Sequence, residues 1–593
     1  MQNHQGPSAV GRQLFVLIAF SLGMTASLQS QSIPVDVKPT CTVTSSQFDS
    51  WYASGHPSVN GVVNPANSVT FSHNSNCAFY QWSKQMFLWL TSPAPSEYGG
   101  GDLVLNSRVF FDVTPPDDNG NRHLVPHGPD FVPTLAIRDQ KTGPENLPVV
   151  VTKSGQLRPF REAAPGERPL IRGAGGAKVE VGSASRVNGE LRVLDKAGKP
   201  LAVPAPLKAE AAVAHVALTR FVVNGVPIFI DPSGNLVDTE EGQATGDVLL
   251  AQNGSLVYYT ISVNDVFAYF LTWAKDNHFQ PAPPFPTTQA QLNQVIIFAK
   301  QYGVTFPDPE ALAIEVKSAW VEATSLPDPQ NYVRMTARVP VFNKSNPAKW
   351  TATGQYQTTQ LALVGMHVVG SAAGHPEMIW STFEHFGNTP NGAYQYINGA
   401  NKVVAVPQNT SGAWLFTQSG AAGPFNVSHA KIDGSDIVAP TGQTISPSNT
   451  LRIMAWGASS NASPNPEDAT PAASNTELLS IQNSVSSLTP TADVRNRYFM
   501  PGSTWTLNGL APTTSYGNPG NTGGNGIGTS LIGNSTMETY FQPANTSFTT
   551  QLGNCLVCHQ IYPYPQNKQP TADVSHIYEK TQPLPPPTAG AQH

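Results

Sequence analysis

The chain is poor in two things that decide much about a protein. Charged residues make up only 12% of its 593 positions, about half the usual share. Its net charge is −6, and a nucleic-acid partner would want a basic surface, so none is expected. Cysteine is scarcer still, with four residues: Cys41, Cys77, Cys555 and Cys558. That excludes a disulfide scaffold, and at this length a hydrophobic core can hold the fold without one. Beyond the N-terminus no stretch reaches about 18 apolar residues, so no membrane span is expected in the mature chain. Also lacking are a nucleophile-elbow motif, a phosphate-cradling glycine loop, an H-E-x-x-H zinc motif and an internal repeat.

What is present begins with an export signal. Arg12 precedes an apolar run from Leu14 to Met24, then small and polar residues to Ser32. The run is too short to span a membrane and reads as a signal peptide, residues 1–31, cleaved between about Ala26 and Ser32. A periplasmic or secreted location follows, and an oxidising compartment favours a disulfide between Cys41 and Cys77.

Gly, Pro, Asn, Ser and Thr are abundant, which suits a loop-rich α+β fold. Residues 32–140 form an N-terminal region. Its Phe79, Trp82, Met86 and Trp89 recur at helical spacing, as in a core-packing helix. Residues 141–220 form a basic insert, either β-rich or a flexible excursion. Its basic side chains run from Lys153 to Lys208 around a hairpin over Glu190 to Val203, and they could dock an acidic redox partner. Residues 221–500 form a mixed α/β main region. A hairpin over Phe221 to Ile230 is expected there, then helices over Asn264 to Asp276 and Gln289 to Tyr302. Asp308-Pro309-Glu310 predicts a third helix reaching about Ala323, with Glu315 and Glu322 on one face. Gln360 to Val369 reads as a strand with Leu361, Leu363, His367 and Val369 on one side, and Met366 and Val368 on the other. His375-Pro376-Glu377 predicts a helix through His385, followed by short strands and long loops to Ser530. A segment at 501–565 carries the chemistry, and a Pro-rich tail, 566–593, is expected to fray.

The chemistry lies in Cys555-Leu556-Val557-Cys558-His559, the C-x-x-C-H pattern of covalent c-type haem attachment. Two thiols add to the two vinyl groups of one haem, and the next residue supplies the proximal nitrogen. At this Cys and His content a chance match arises roughly once in 1,500 such chains, so the motif is taken as chemistry. A zinc ribbon would need a second close cysteine pair, and a thioredoxin-like motif would need a βαβ context. The remaining alternative is a plain Cys555–Cys558 disulfide.

Only 34 residues follow His559, and none is methionine. The sixth iron position therefore falls to His576, to water or to an upstream side chain. His367 and His385 lead the upstream candidates, ahead of His375, Met500 and Met537. His367, His375, Glu377, Glu384 and His385 could also gather around a separate metal such as zinc or non-haem iron.

Taken in order, Glu315–Trp320, Leu363–His367, Met378–His385, Asn534–Gln542 and Asn554–His559 resemble a family of large secreted single-haem cytochrome-c-like proteins. The resemblance spans roughly residues 225 to 560. It implies one covalent haem c on Cys555, Cys558 and His559, periplasmic electron transfer, and a place for His367 and His385 in the haem pocket. A bare electron carrier needs only about 100 residues, so a haem-dependent oxidase, oxygenase or peroxidase is a second expectation. A secreted binding protein with a structural Cys555–Cys558 disulfide is a third. The redox partner or substrate is not legible.

Overall fold

A computed structural model describes Met1 and residues 33–587, apart from 118–120, 129, 138–148, 152–156, 165, 173–176, 188–189, 202–216, 224–225, 238–246, 441, 458–469, 513–523, 530, 543–554 and 560–567. The signal-peptide segment and the turn at Asn224-Gly225 lie outside the described residues. The fold is α+β. Its frame is an 11-stranded sheet, with strands β1 (Phe110–Val113), β2 (Leu124–Pro126), β3 (Tyr258–Asn264), β4 (Ile314–Glu322), β5 (Arg334–Asn346), β6 (Lys349–Ala372), β7 (His375–His385), β8 (Lys431–Asp433), β9 (Asp436–Val438), β10 (Tyr498–Thr506) and β11 (Gly526–Gly528). The main path runs β2-β1-β3-β4-β6-β7-β10-β11, antiparallel throughout. Strands from the N-terminal, main and C-terminal regions thus share one sheet.

Helix α1 (Ser45–Trp51) precedes α2 (Asn76–Leu90), which lies against one face of the sheet. Besides its expected stripe, Tyr80, Phe87, Leu88 and Leu90 are also buried. A helix apolar all round needs cover on two sides. Sequence reading expected only strands and loops in the stretch that supplies the second cover, yet Pro471–Leu488 forms a long helix there. Its N-cap Thr470 accepts a bond from the Ala473 N–H, and Pro471 opens the first turn. Polar residues share its buried positions with Leu478, Leu479, Ile481 and Val485 and blur the apolar period: Ser480 Oγ bonds the Cys41 backbone, and Thr476 Oγ1 accepts from the Ile397 N–H. Ser83, Ser381 and Ser503 join α2 to β7 and β10 through hydroxyl contacts of 2.6–3.1 Å.

The opposite face carries α3 (Asp265–Asp276) and α4 (Gln289–Gln301), both where their patterns place them. Their caps follow the sequence: Asn264 accepts from the Phe267 N–H, and Thr288 forms a capping box with Gln291. The basic insert is β-rich among its described residues. Its strands form a four-stranded sheet and part of a five-stranded one, which Val226–Ile230 and Leu236–Val237 from beyond residue 220 complete; these sheets hold clusters around Ile171, Val193 and Ile228 and around Phe160 and Phe229. Some of its basic side chains are paired within it, as Arg161 is with Glu167 and Lys196 with Glu180.

Three expectations are corrected. Asp308-Pro309 begins a single 3-10 turn, Pro309–Ala311, and the chain then enters β4 through Leu312 at φ 62°. The buried alternation Ile314, Val316, Ser318, Trp320 outweighs the capping signal. His375 to His385 is a strand, not a helix, and all of its residues are buried. A strand covered on both faces loses its alternation and cannot be told from a buried helix by period. The Pro-rich tail is docked as far as Leu584. Ala572, Val574, Ile577, Tyr578 and Leu584 are buried against Phe267, Phe270 and Phe285, and the Lys275 ammonium donates to the Glu579 and Thr581 carbonyls.

Cys41 and Cys77 form the expected disulfide, 36 residues apart, tying the N-terminal segment to the start of α2. Closing a loop of that length stabilises by about 4 kcal/mol in the loop-entropy account. A Cys41→Ser/Cys77→Ser variant should therefore unfold at lower denaturant, with a loss near that size in equilibrium unfolding. A loss under about 1 kcal/mol would show that the bond restrains little in the unfolded chain.

Candidate functional site

The described residues of the five sequence segments include groups that meet on one face of the sheet; Asn554 and the Cys558 side chain lie outside the described residues. Strand registers lay two rows across it. One row runs Val263, Glu315, Val369, Trp380; the next runs Ile261, Lys317, His367, Thr382. Side chains two apart along a strand share a face, so a polar strip of Glu315, Lys317, His367 and Thr382 lies beside apolar Val263, Val369 and Trp380.

A bulge sets which side chains face that strip. Ala319 pairs with Gly365, but Trp320 pairs with Leu363, so Val364 is the extra residue. Leu361 and Leu363 consequently join Met366 and Val368 in the core cluster beneath α2, while Val369 joins the opposite cluster. This corrects the uniform alternation expected for this strand, because one added residue reverses the faces beyond it. Gly365 is required here for a second reason: a Cβ would collide with the Thr536 and Asn534 side chains.

Those two residues belong to the Asn534–Gln542 segment, which lies across the strands. Asn534 donates from Nδ2 to Thr382 Oγ1 at 2.9 Å and to the Phe383 carbonyl at 3.0 Å. Ser535 donates its N–H to Glu384, whose buried carboxylate is gripped in fork fashion by Arg452 at 3.1 and 2.6 Å. Glu538 accepts the Asn534 N–H at 2.9 Å and meets His367 Nε2 at 3.1 Å. Sequence reading did not single out Glu538, although it lies inside one of the quoted segments.

Cys555–Cys558 is one helical turn, with the His559 N–H bonded to the Cys555 carbonyl at 2.9 Å. Leu556 is buried beside Met378 and Trp380. The His559 ring packs on Trp380 at a 4.1 Å centroid distance and stacks on His576 at 3.9 Å, nearly parallel at 14°. Its Nδ1 lies 3.0 Å from the Val574 carbonyl. A carbonyl can only accept, so Nδ1 carries the proton and Nε2 the lone pair. Burial, reinforced by positive surroundings at His576, Lys317 and His367, holds its pKa well below the usual histidine value. Ser575, next along, donates to Glu315 at 2.6 Å. The helix expected over His375 to His385 hides Trp380; on the observed strand it points with Thr382 to the site.

The candidate side chains separate accordingly. His367 shares the face on which His559 rests. His385 does not: it is five residues along β7 from Trp380, about 16 Å at strand rise. Its ring stacks on Tyr332 at 3.8 Å, Nε2 faces the Asn331 carbonyl, and Nδ1 accepts the Gly387 N–H. His375 pairs with Glu377 at 2.8 Å, against Phe79 of α2. Met500 is buried in the core beneath α2, and Met537 in a third cluster with Tyr259 and Tyr540. The separate metal cluster is not assembled: among the described residues no group of three or more His, Cys, Asp or Glu could hold an ion. His576 is engaged face to face with the His559 ring.

Beside the strip the same face opens into a cavity of about 730 Å³, walled in part by Tyr259, Ile261 and Lys317.

Known protein families, characterised proteins and solved structures contain no match to this chain. No described helix is long and apolar enough to cross a membrane.

His385 yields a pH prediction. Burial lowers its pKa to about 3, whereas an unfolded histidine titrates near 6.5. The unfolded chain therefore takes up the proton first. The stabilisation is complete above about pH 6.5 and is lost as pH falls toward 3. Unfolding free energy should fall by up to about 1.4 kcal/mol more per pH unit across that window than in His385→Phe. Equal slopes in the two proteins would contradict the buried neutral imidazole.

Proposed function

We propose that this is an exported electron-transfer protein of the periplasm, carrying one haem c bound through Cys555 and Cys558 and ligated by His559. The observation that carries the reading is the Val574 carbonyl bonded to His559 Nδ1. Metal-ligating histidines take such a partner on the far nitrogen, which fixes the tautomer and aims the other lone pair. The helical turn adds to the fit, because it puts Cys555 and His559 four residues apart on one side. A lowered pKa keeps the imidazole neutral, the form that binds metal. Bound haem c supplies one-electron redox chemistry at its iron. The chain's share is to orient His559 between Trp380 and His576, and to seal the ring with Leu556, Val574 and Ile577. His367, held by Glu538 on the same sheet face, would be the side chain to test as a further ligand if haem is bound.

A second reading, a haem-dependent oxidase, oxygenase or peroxidase, is favoured by the cavity, since Lys317 both lines it and acts electrostatically on His559. An open sixth position would then give a ferric spectrum that shifts with cyanide or azide, whereas a six-coordinate spectrum inert to both supports electron transfer.

The test of the shared core is a pyridine haemochrome spectrum on protein made alongside a cytochrome c maturation system. A c-type spectrum that survives acid–acetone extraction is expected, and it should vanish in Cys555→Ala/Cys558→Ala. Colourless wild-type protein would sink the haem reading and leave a secreted binding protein.

A further inference from the structure

The Val574 carbonyl orients His559, and the packing around that carbonyl is apolar. Val574 and Ile577 are buried in the cluster that also holds Val369 and Trp380. Hydrophobic burial is non-directional, so it sets how deep the tail sits but not where a carbonyl points. A carbonyl that must meet one ring nitrogen at hydrogen-bonding angle needs a directional tie close by.

Ser575, the next residue, supplies that tie. It is buried, and its hydroxyl donates to Glu315 Oε2 at 2.6 Å. Its N–H and carbonyl are both spent inside the tail, on the Ala572 carbonyl and the Tyr578 N–H, so the hydroxyl is the polar group it extends to the sheet. Bonds of this kind to a carboxylate are about twice as strong as neutral ones. Glu315 is a firm anchor. It stands on β4, between β3 and β6, in the row that continues through Val369 to Trp380. His559 is therefore referenced to that row twice. Its ring packs on Trp380, and its Nδ1 partner is tied to Glu315, two strands or about 10 Å away. Burial raises the Glu315 pKa, while the Ser575 hydroxyl, Lys317 and Arg122 oppose that shift and favour the anion, the stronger acceptor.

We propose that Glu315 is a positioning residue for His559: through the Ser575 hydroxyl it fixes the Val574–Ser575 peptide, and with it the carbonyl that holds the His559 Nδ1 proton. The tautomer of His559 follows from these contacts alone. The effect on the iron's potential rests on the haem reading above, in which a firm Nδ1 bond makes Nε2 the stronger donor.

The test is nitrogen-15 NMR of the histidine-labelled full chain, made without cytochrome c maturation machinery, which reads the tautomer with no haem attached. The wild type should carry a slowly exchanging proton on His559 Nδ1. Ser575→Ala should speed its exchange roughly fivefold, the factor that a typical net hydrogen bond is worth, and should populate the Nε2–H tautomer. Glu315→Gln still accepts the hydroxyl and should stay near the wild-type rate. In protein carrying haem, Ser575→Ala should raise the midpoint potential. Wild-type exchange and tautomer in Ser575→Ala would overturn the proposal. So would a Glu315→Gln protein that behaves like Ser575→Ala, since charge and not the bond would then be the cause. Colourless protein from a maturation-competent strain would end the haem reading, while the His559 tautomer would still decide this proposal.

Discussion

Everything assigned to function rests on one packing contact, the docking of the C-terminal segment onto the open face of the central sheet. Leu556, Val574 and Ile577 go into the apolar cluster that Trp380, Val369 and Phe267 already form, and burying side chains of this size is worth about 1.5–3 kcal/mol each. That apolar seal carries polar consequences. It brings His559 onto Trp380, the Val574 carbonyl onto His559, and Ser575 onto Glu315. Without it the C-x-x-C-H turn would be an exposed loop with no oriented imidazole.

The sheet face is prepared for this docking by a single irregularity. The bulge at Val364 turns Gly365 and His367 outward at the point where Asn534–Gln542 must lie close. The buried Glu384–Arg452 pair then anchors that segment through Ser535. Removing one partner of such a pair leaves an uncompensated buried charge, so the pair serves as a clamp on the loop that holds Glu538 against His367. The histidines of the central strands thus have separate duties. His367 faces the site, while His375 and His385 are held in the interior by Glu377 and by the Asn331 carbonyl.

Helices with a strong apolar or aromatic pattern were legible from their residues alone: α2, α3 and α4 lie where their spacing puts them. The Cys41–Cys77 bond, the insert hairpin and the polar character of the middle of the chain were legible as well. Strands buried on both faces were not. β7 carries a Pro-containing start and aromatics that imitate a helix, and no local signal reports that both of its faces will be covered; at β4 the preceding Asp308-Pro309 cap signal competes with the alternation of Ile314, Val316, Ser318 and Trp320. The helix of Pro471–Leu488 was not legible for another reason: buried Ser474, Asn475, Thr476, Ser480 and Gln482 are interleaved with buried Leu478, Leu479, Ile481 and Val485, which blurs the apolar period. At the site, the C-x-x-C-H spacing alone is what marks Cys555, Cys558 and His559 for haem attachment. Trp380, Val574, Ser575 and Glu538 were not legible, since their roles depend on strand register and on contacts across as many as 260 residues of sequence.

The central claim is a covalent bond between this chain and one haem. Mass spectrometry of the mature protein under denaturing conditions, followed by peptide mapping, tests it most directly. The account predicts a mass equal to the processed polypeptide plus one haem, with the added mass confined to the peptide that spans Cys555 to His559. A polypeptide without the added haem mass, lighter only by the four hydrogens of the Cys41–Cys77 bond and a Cys555–Cys558 disulfide, would contradict it.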